Sequence, residues 1–309
     1  MLISGMAKRS PNPVPQQPPV VHEVVDPRWL IKAFAVTVLF AFLCSYAVLC
    51  WLFYQGQWQF AVNPSHKITQ TPDSLGLQFQ PVRFGVDATG TPQLSGWFVP
   101  SDSPDAPNTF TALVLHGGDG NISTALPTVQ RLHTARLNVL LFDYRGFGAS
   151  GGDHPTEALM QTDADSALTY LTSTRGIAPN RIIPFGQGIG ASLATRLATE
   201  HHELPALVLD SPVGDIDAMV AHDSRARFIP TSLFLHEHYA LAAPLSTLTT
   251  PKLIITFTTG AAPAAALHAA DPKVTAELPT SNDVTYVQTL NRFLDLYTKP
   301  SIPTLTPML

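Results

Sequence analysis

The chain has 309 residues, of which 45% are hydrophobic and 13% charged, and its formal net charge is −5. This length allows one or two domains with a large buried core. The acidic balance offers no basic surplus of the kind that nucleic-acid binding requires. The only cysteines, Cys44 and Cys50, share one apolar run, which excludes a disulfide framework or cysteine-based metal site elsewhere. We predict no nucleic-acid partner and no cofactor.

The N-terminal residues 1–27 include the proline-rich tract SPNPVPQQPPV. Such a composition cannot bury enough apolar surface to form a core. These residues are therefore predicted to be a disordered tail.

An uncharged, mostly apolar span follows, Ala33–Tyr54. Its length matches the roughly 20 residues that cross a bilayer as a helix. Aromatic residues flank it, as in interfacial belts: Trp29, Trp51, Tyr54 and Trp58. A cleaved signal peptide and a buried core helix are the alternatives. The apolar region of a signal peptide is only about 7–15 residues long and precedes a small-residue cleavage site, and no such site follows here. We predict a transmembrane helix with flanks over 28–58, contacting lipid through 33–54.

The charges around this span are asymmetric. Basic residues precede it (Lys8, Arg9, Arg28 and Lys32), and only Lys67 follows closely. Because cytoplasmic flanks carry the excess of Lys and Arg, the tail is predicted to be cytoplasmic. The globular part is then extracytoplasmic, in a single-pass protein of the cell membrane.

From about residue 75 onward, strand-like and helix-like segments alternate. The strand-like segments are Leu77–Val86, Leu94–Val99, Thr111–Leu115, Asn138–Asp143, Arg181–Phe185, Ala206–Asp210 and Lys252–Thr256, and the helix-like ones are Ser123–Arg136, Glu157–Leu171, Ala191–Glu200 and Val284–Leu296. This alternation predicts an α/β fold with a mainly parallel sheet flanked by helices, preceded by an antiparallel hairpin. We place the domain at 59–299, with an irregular, cap-like segment at 211–251 and a C-terminal tail at 300–309.

The stretch Arg181–Ala194, RIIPFGQGIGASLA, passes from a strand through a glycine-rich turn directly into a helix. That is the context of the nucleophile elbow, whose usual sequence is G-x-S-x-G. The middle position here is Gly188, and glycine has no nucleophile.

Four segments together resemble one known family: LVLHGGDGN at Leu113–Asn121, FDYRGFGASGG at Phe142–Gly152, the elbow, and LVLDSPVGDI at Leu207–Ile216. The chain resembles the alpha/beta-hydrolase superfamily over roughly residues 55–298. It is most similar to the single-pass, membrane-anchored branch with serine aminopeptidase-like or depalmitoylase-like domains.

The resemblance implies a serine at the elbow, an acid after a late strand and a histidine before the last helix, acting as a proton relay. The corresponding positions hold Gly188, Gly260 and Ser281, so the catalytic triad is predicted to be degenerate. The resemblance also implies an oxyanion hole built from the backbone N–H groups of Gly118 and Ile189.

Other candidate residues have weaker contexts. Ser150 lies in a literal G-x-S-x-G match, but no helix starts there. Ser192 lies inside the helix after the elbow, and a rewired site would pair one of these serines with His116 or His154. The pairs His201-His202 and His236/His238 suggest a metal but lack a third convergent ligand, so no metal site is predicted.

The sequence and the resemblance therefore predict a membrane-anchored pseudoenzyme with an alpha/beta-hydrolase fold. It would bind a ligand, such as a small acyl-type molecule, or a partner through the pocket where the family has its active site. The alternative is an active serine hydrolase of ester, thioester or amide bonds with a rewired site. A purely structural membrane protein with a collapsed pocket is a third reading.

Overall fold

An eight-stranded sheet carries the elbow in the computed structural model of the chain, which describes residues 26–86, 89–102, 109–257, 268–279 and 283–298. The strands are β1 (Asn63–Pro64), β2 (Gln80–Val86), β3 (Pro92–Val99), β4 (Thr111–Leu115), β5 (Asp119–Gly120), β6 (Asn138–Phe142), β7 (Ile182–Gln187), β8 (Leu207–Asp210), β9 (Lys252–Phe257) and β10 (Lys273–Leu278). The helices are α1 (Pro27–Gly56), α2 (Leu126–Thr134), α3 (Glu157–Thr169), α4 (Gly190–Glu200), α5 (Asp217–His222), α6 (Thr231–Phe234), α7 (Ala242–Thr247) and α8 (Asp283–Tyr297).

The strand order of the sheet is β10-β9-β8-β7-β4-β6-β3-β2, and β3 alone runs antiparallel to both of its neighbours. The remaining pairings are parallel. The register pairs Leu115 with Gly186 and Gln187 with Asp210. The carboxyl ends of β4, β7 and β8 therefore meet at one edge, where open parallel sheets place their sites. The predicted α/β fold and hairpin are confirmed.

Both faces of the sheet are covered, which explains why its central strands read as continuous apolar runs. Along β4, Leu113 and Leu115 contribute to one core cluster, while Ala112 and Val114 contribute to the other. Side chains of α3, α4 and the cap-like segment join the first cluster, and those of α2 and α8 join the second. The two-residue period of a strand thus divides the core into two layers.

The helix α1 is apolar along nearly its whole length. Together with the short 3₁₀ turn that follows it up to Phe60, α1 has a mean hydropathy of 2.3. Among the described residues it is the one helix that is long and apolar enough to span a membrane. The chain divides into two compact units between Leu49 and Cys50. Within the second unit, Cys50 and Phe53 are buried in the hydrophobic core.

Two parts of the chain differ from the sequence-based expectation. The edge strand β10 was not predicted, because its sequence KVTAEL mixes polar and apolar residues and only Leu278 is buried. The segment 211–251 was expected to be irregular but contains the three short helices α5, α6 and α7. Helices of four to six residues are too short to show a repeating apolar face.

Candidate functional site

The turn after β7 has the backbone conformation of an elbow. Gly188 lies between the end of β7 and the start of α4, with φ at +55°. This left-handed region disfavours every residue except glycine. Its N–H donates to the carbonyl oxygen of Asp210 at 3.1 Å, and its own carbonyl accepts from the N–H of Val213 at 2.9 Å. The segment after β8 therefore holds the turn in place.

The three glycines of the turn have different steric environments. A Cβ added at Gly186 would collide with the backbone of Ala191, and one added at Gly190 would collide with the carbonyl oxygen of Leu115. A Cβ at Gly188 would meet only the Cα of Gly117, at 3.5 Å, which is ordinary van der Waals contact. Close packing of strand and helix thus requires the outer glycines, while the central position has room for a side chain.

The loop after β4 lies against this turn and is held from its other side. The carbonyl oxygen of Gly118 accepts from the N–H of Asn63 at 2.8 Å, and β5 pairs in parallel with β1. Within the described residues, neither the N–H of Gly118 nor that of Ile189 donates to a hydrogen bond. These are the two groups predicted to form an oxyanion hole, and that role stays a prediction.

The other two positions of the predicted degenerate triad, Gly260 and Ser281, lie outside the described residues. The described part of the site therefore consists of the elbow, the loop after β4 and the side chains around them.

His116 is buried beside the elbow, with 1% of its surface exposed. Its ring packs against Tyr144 at 4.5 Å and Phe147 at 5.2 Å between ring centroids. Its Nδ1 lies 2.7 Å from the carbonyl oxygen of Gly117, and its Nε2 has no hydrogen-bond partner. Burial lowers the pKa of His116 to about 4, because an imidazolium would lose its hydration there. The ring is thus neutral at pH 7.

Ser150 braces a loop. Its hydroxyl donates to the carbonyl oxygen of Asp143 at 2.6 Å and accepts from the N–H of Ser95 at 2.9 Å. The buried carboxylate of Asp143 in turn accepts from the N–H groups of Ile122 and Ala149. Burial raises the pKa of Asp143 to about 6. Both hydrogen-bonding capacities of the Ser150 hydroxyl are thus used within the fold.

The other residues of a rewired site are also engaged elsewhere. The Ser192 hydroxyl lies within α4 and donates to the carbonyl oxygen of Ile189 at 2.9 Å. The ring of His154 stacks on Trp58, with 5.5 Å between centroids. In the part of the chain that the structure describes, no serine hydroxyl is hydrogen-bonded to a histidine ring.

The histidine pairs take part in local contacts. Ligand atoms of His201, Asp165 and Glu200 lie within 4.8 Å of one another. The guanidinium of Arg196, however, pairs with both carboxylates, at 2.6 Å in the case of Asp165.

In the second pair, the backbone N–H of His236 donates to Gln57 Oε1, and the ring of His238 contacts Asp217 at 2.8 Å. The ring Nδ1 of His236 lies 2.5 Å from Gln57 Nε2, so the two imidazoles have separate partners.

Sequence reasoning missed Asp210, a buried acid at the end of β8 whose backbone carbonyl bonds the elbow. Its carboxylate accepts from the hydroxyls of Tyr286 and Ser211, at 2.8 and 2.9 Å. Burial raises the pKa of Asp210 despite these bonds. Ser211 has φ at +48°, an uncommon conformation for a serine. The sequence signal was an aspartate ending an apolar strand, and the structure shows that it fixes α8 to the sheet.

His116 generates a prediction about acid stability. Its pKa is about 4 in the folded chain and near 6.5 in the unfolded chain, so the unfolded chain binds more protons between these values. The free energy of unfolding should therefore fall as the pH drops from 7 to 4, by about 3 kcal/mol from this residue. His116→Phe keeps the aromatic packing and removes the titration.

Urea denaturation of the full chain in detergent, at several pH values, measures this difference. The free-energy gap between the variant and the wild type should shift in favour of the variant as the pH falls. If the free energy of unfolding depended on pH in the same way for both proteins, protonation of His116 would not be the cause of the acid destabilisation.

Comparisons with known proteins place this geometry in a family. The model of the serine aminopeptidase, S33 family (Hydrolase_4) matches residues 107–307. Uncharacterized protein YfhR of Escherichia coli K12 is 37% identical over 122 residues, covering 38% of this chain and 43% of YfhR. Uncharacterized protein Rv2307c of Mycobacterium tuberculosis is 32% identical over 163 residues, covering 53% and 56%. Protein bem46 of Schizosaccharomyces pombe is 32% identical over 122 residues, covering 39% and 40%. The chain thus spans about half the length of these relatives.

Solved structures show the same fold at low sequence identity. The esterase Pf2001 of Pyrococcus furiosus has a TM-score of 0.60 and 20% identity, covering 77% of this chain and 99% of the esterase. An acetyl xylan esterase from Paenibacillus sp. R4 has a TM-score of 0.55 and 17% identity, covering 78% and 98%. The family model matches well over half of the sequence, and the chain therefore belongs to the serine aminopeptidase, S33 family within the alpha/beta-hydrolase superfamily.

Proposed function

We propose that this chain is a membrane-anchored, non-catalytic member of its family, which binds a small acyl-type ligand or a partner at the emptied elbow. The main support for the proposal is that glycine, at position 188, occupies the nucleophile position of the elbow. The turn has the left-handed φ and the open Cβ position of a nucleophile elbow, yet the residue supplies no nucleophilic atom.

The alternative nucleophiles do not favour a rewired site. The hydroxyls of Ser150 and Ser192 both donate to backbone carbonyls, and no histidine activates either of them among the described residues. A serine without an adjacent base is a weak nucleophile at neutral pH. His116 is neutral and enclosed by aromatic rings, which suits a packing role.

Ligand binding is supported by the donors and the space that remain. The N–H groups of Gly118 and Ile189 have no acceptor in the described part of the chain. Ile189 is buried and Gly118 is half-buried, so both N–H groups are free to donate to an external acceptor such as an acyl carbonyl or carboxylate oxygen. The space beside Gly117 and Gly188 would hold the carbon next to that oxygen.

Membrane anchoring is supported by the length and apolarity of α1. The four basic residues before the span, against Lys67 after it, favour a cytoplasmic N-terminus and an extracytoplasmic domain in a single-pass arrangement.

The non-catalytic part of the proposal predicts background turnover. Losing a whole triad costs on the order of 10⁶-fold in kcat. The purified full chain and its Gly188→Ala variant, which adds a side chain without a nucleophile, should both hydrolyse p-nitrophenyl butyrate no faster than the buffer alone. A fluorophosphonate probe should label neither protein.

Turnover of either protein clearly above the uncatalysed rate, or stoichiometric probe labelling, would contradict the proposal. Loss of such activity in Ser150→Ala or Ser192→Ala would then identify the serine of a rewired ester, thioester or amide hydrolase.

The binding part predicts stabilisation by a short acyl anion. Hexanoate at about ten times its Kd should raise the Tm of the full chain in nanodiscs by roughly 3 °C. In Gly117→Leu the added side chain would fill the space beside the elbow, since a Cβ there meets only the carbonyl oxygen of Gln187, at 3.8 Å. Its Tm should not respond to hexanoate. An equal response of the variant and the wild type would place hexanoate elsewhere, and no response in either would argue against an acyl ligand.

A further inference from the structure

Two large apolar side chains project from the cap-like segment into solvent. Phe228 is 71% exposed and Leu233 is 78% exposed. Between them, Ile229 is buried in the core, as is Ala226 just before them. The segment is thus held to the domain by its inward residues while its outward residues are apolar. We call Arg227, Phe228 and Leu233 the cap patch.

Gln57, one residue beyond α1, fastens this segment to the end of the apolar helix. Its buried amide nitrogen donates to the carbonyl oxygen of Tyr54 at 3.0 Å and to that of Phe234 at 3.1 Å. Its amide oxygen accepts from the N–H groups of His236 and Glu237 at 2.7 and 3.1 Å. One nitrogen bonds both carbonyls, which places Phe234 within about 6 Å of the Tyr54 carbonyl.

Two further contacts secure the same junction. The rings of Tyr54 and His236 lie 4.4 Å apart between centroids. The guanidinium of Arg225 lies 4.1 Å from the ring centroid of Phe60, and its charge is paired with Asp223 at 2.9 Å. The segment is therefore fastened to the last turn of α1 on one side and to the residues just after it on the other.

From this geometry we propose that the cap patch lies in the headgroup region of the same bilayer leaflet in which α1 ends. The inference rests on the proposed membrane anchoring. Tyr54 is the last residue of the predicted span, and tyrosine prefers the membrane interface. Leu233, adjacent to Phe234, is thus held at the depth of that interface.

The composition of the cap patch suits a lipid surface. Aromatic and aliphatic side chains on a short amphipathic element enter the boundary between headgroups and acyl chains, and basic residues beside them attract anionic headgroups. Arg227 supplies such a charge, 5.6 Å from the ring centroid of Phe228.

The consequence is a cap whose position depends on the membrane. The same segment continues into residues around Tyr239 and Asp215, whose backbone groups bond each other beside Val213, which itself bonds Gly188. The cap patch and the elbow are thus connected through the backbone of one segment.

Site-specific labels on the full chain test the depth of the cap patch. Each of Phe228, Leu233, Phe42 and Val284 is replaced in turn by cysteine, in a background in which Cys44→Ser and Cys50→Ala remove the native thiols. The cysteine is labelled with the fluorophore NBD, and the protein is reconstituted into vesicles of phosphatidylcholine and phosphatidylglycerol. Phe42 reports on the anchor, and Val284, 66% exposed on α8 on the other face of the sheet, is the matched control.

Brominated lipids should quench the labels at 228, 233 and 42 by roughly two-fold, because these labels contact acyl chains, and should leave the label at 284 unchanged. Aqueous iodide should quench only the label at 284.

Quenching by lipid at 42 but by iodide at 228 and 233 would overturn the inference and leave the anchoring intact. Protection of 228 and 233 from both quenchers would also overturn it, since a protein surface, such as a second copy, would then cover the cap patch. Lipid quenching at 284 as well would show that the labels themselves partition into the bilayer, against the inference. Absence of lipid quenching at 42 would refute the anchoring itself.

Discussion

The close contact between β7, α4 and the end of β4 is the constraint on which the rest of the structure depends. At Gly186 and Gly190, any side chain would collide with backbone, so the strand can pass into the helix at this distance only with glycine. The same contact places the loop after β4 against the turn and aligns the carboxyl ends of three parallel strands at one edge. The left-handed Gly188 completes the turn, and its hydrogen bonds to Asp210 and Val213 connect it to the segment that leads into the cap.

This constraint separates what the fold needs from what catalysis needs. A non-glycine residue in such a turn carries backbone strain of about 1–3 kcal/mol. A catalytic side chain at this position needs that strained conformation, whereas the packing of strand and helix does not. With Gly188 the strain is absent, while the outer glycines stay indispensable for packing. The neighbouring polar groups fit the same division. Asp210 fixes α8 through Tyr286, Ser150 fixes its loop to β3, and none of these contacts requires a substrate.

Much of the fold could be predicted from the sequence, because the patterns that indicate its strands and helices are local. The buried strands are uninterrupted apolar runs, and the amphipathic helices α2, α4 and α8 repeat their apolar residues at helical spacing, as with Leu290, Phe293 and Leu294. The position of the elbow also followed from sequence, since its glycines reflect steric contacts. What could not be read depends on distant partners. Nothing near Gln57 in sequence indicates that its amide would bond residues 234–237, and nothing near Asp210 indicates Tyr286. The short cap helices are likewise set by packing rather than by their own periodicity.

We propose that the elbow keeps its shape while the proton relay around it is lost, and the Gly188→Ser variant of the full chain tests this proposal. The space beside Gly117 admits the serine, so the variant should fold, and the strain of a non-glycine residue at this φ should lower its Tm by roughly 2–12 °C. The proposal leaves the new hydroxyl without an activating histidine and acid, so the rate of p-nitrophenyl butyrate hydrolysis should stay at the wild-type background. A folded Gly188→Ser variant with turnover several orders of magnitude above that background would contradict the proposal, because a histidine and an acid would then be in place to activate the serine.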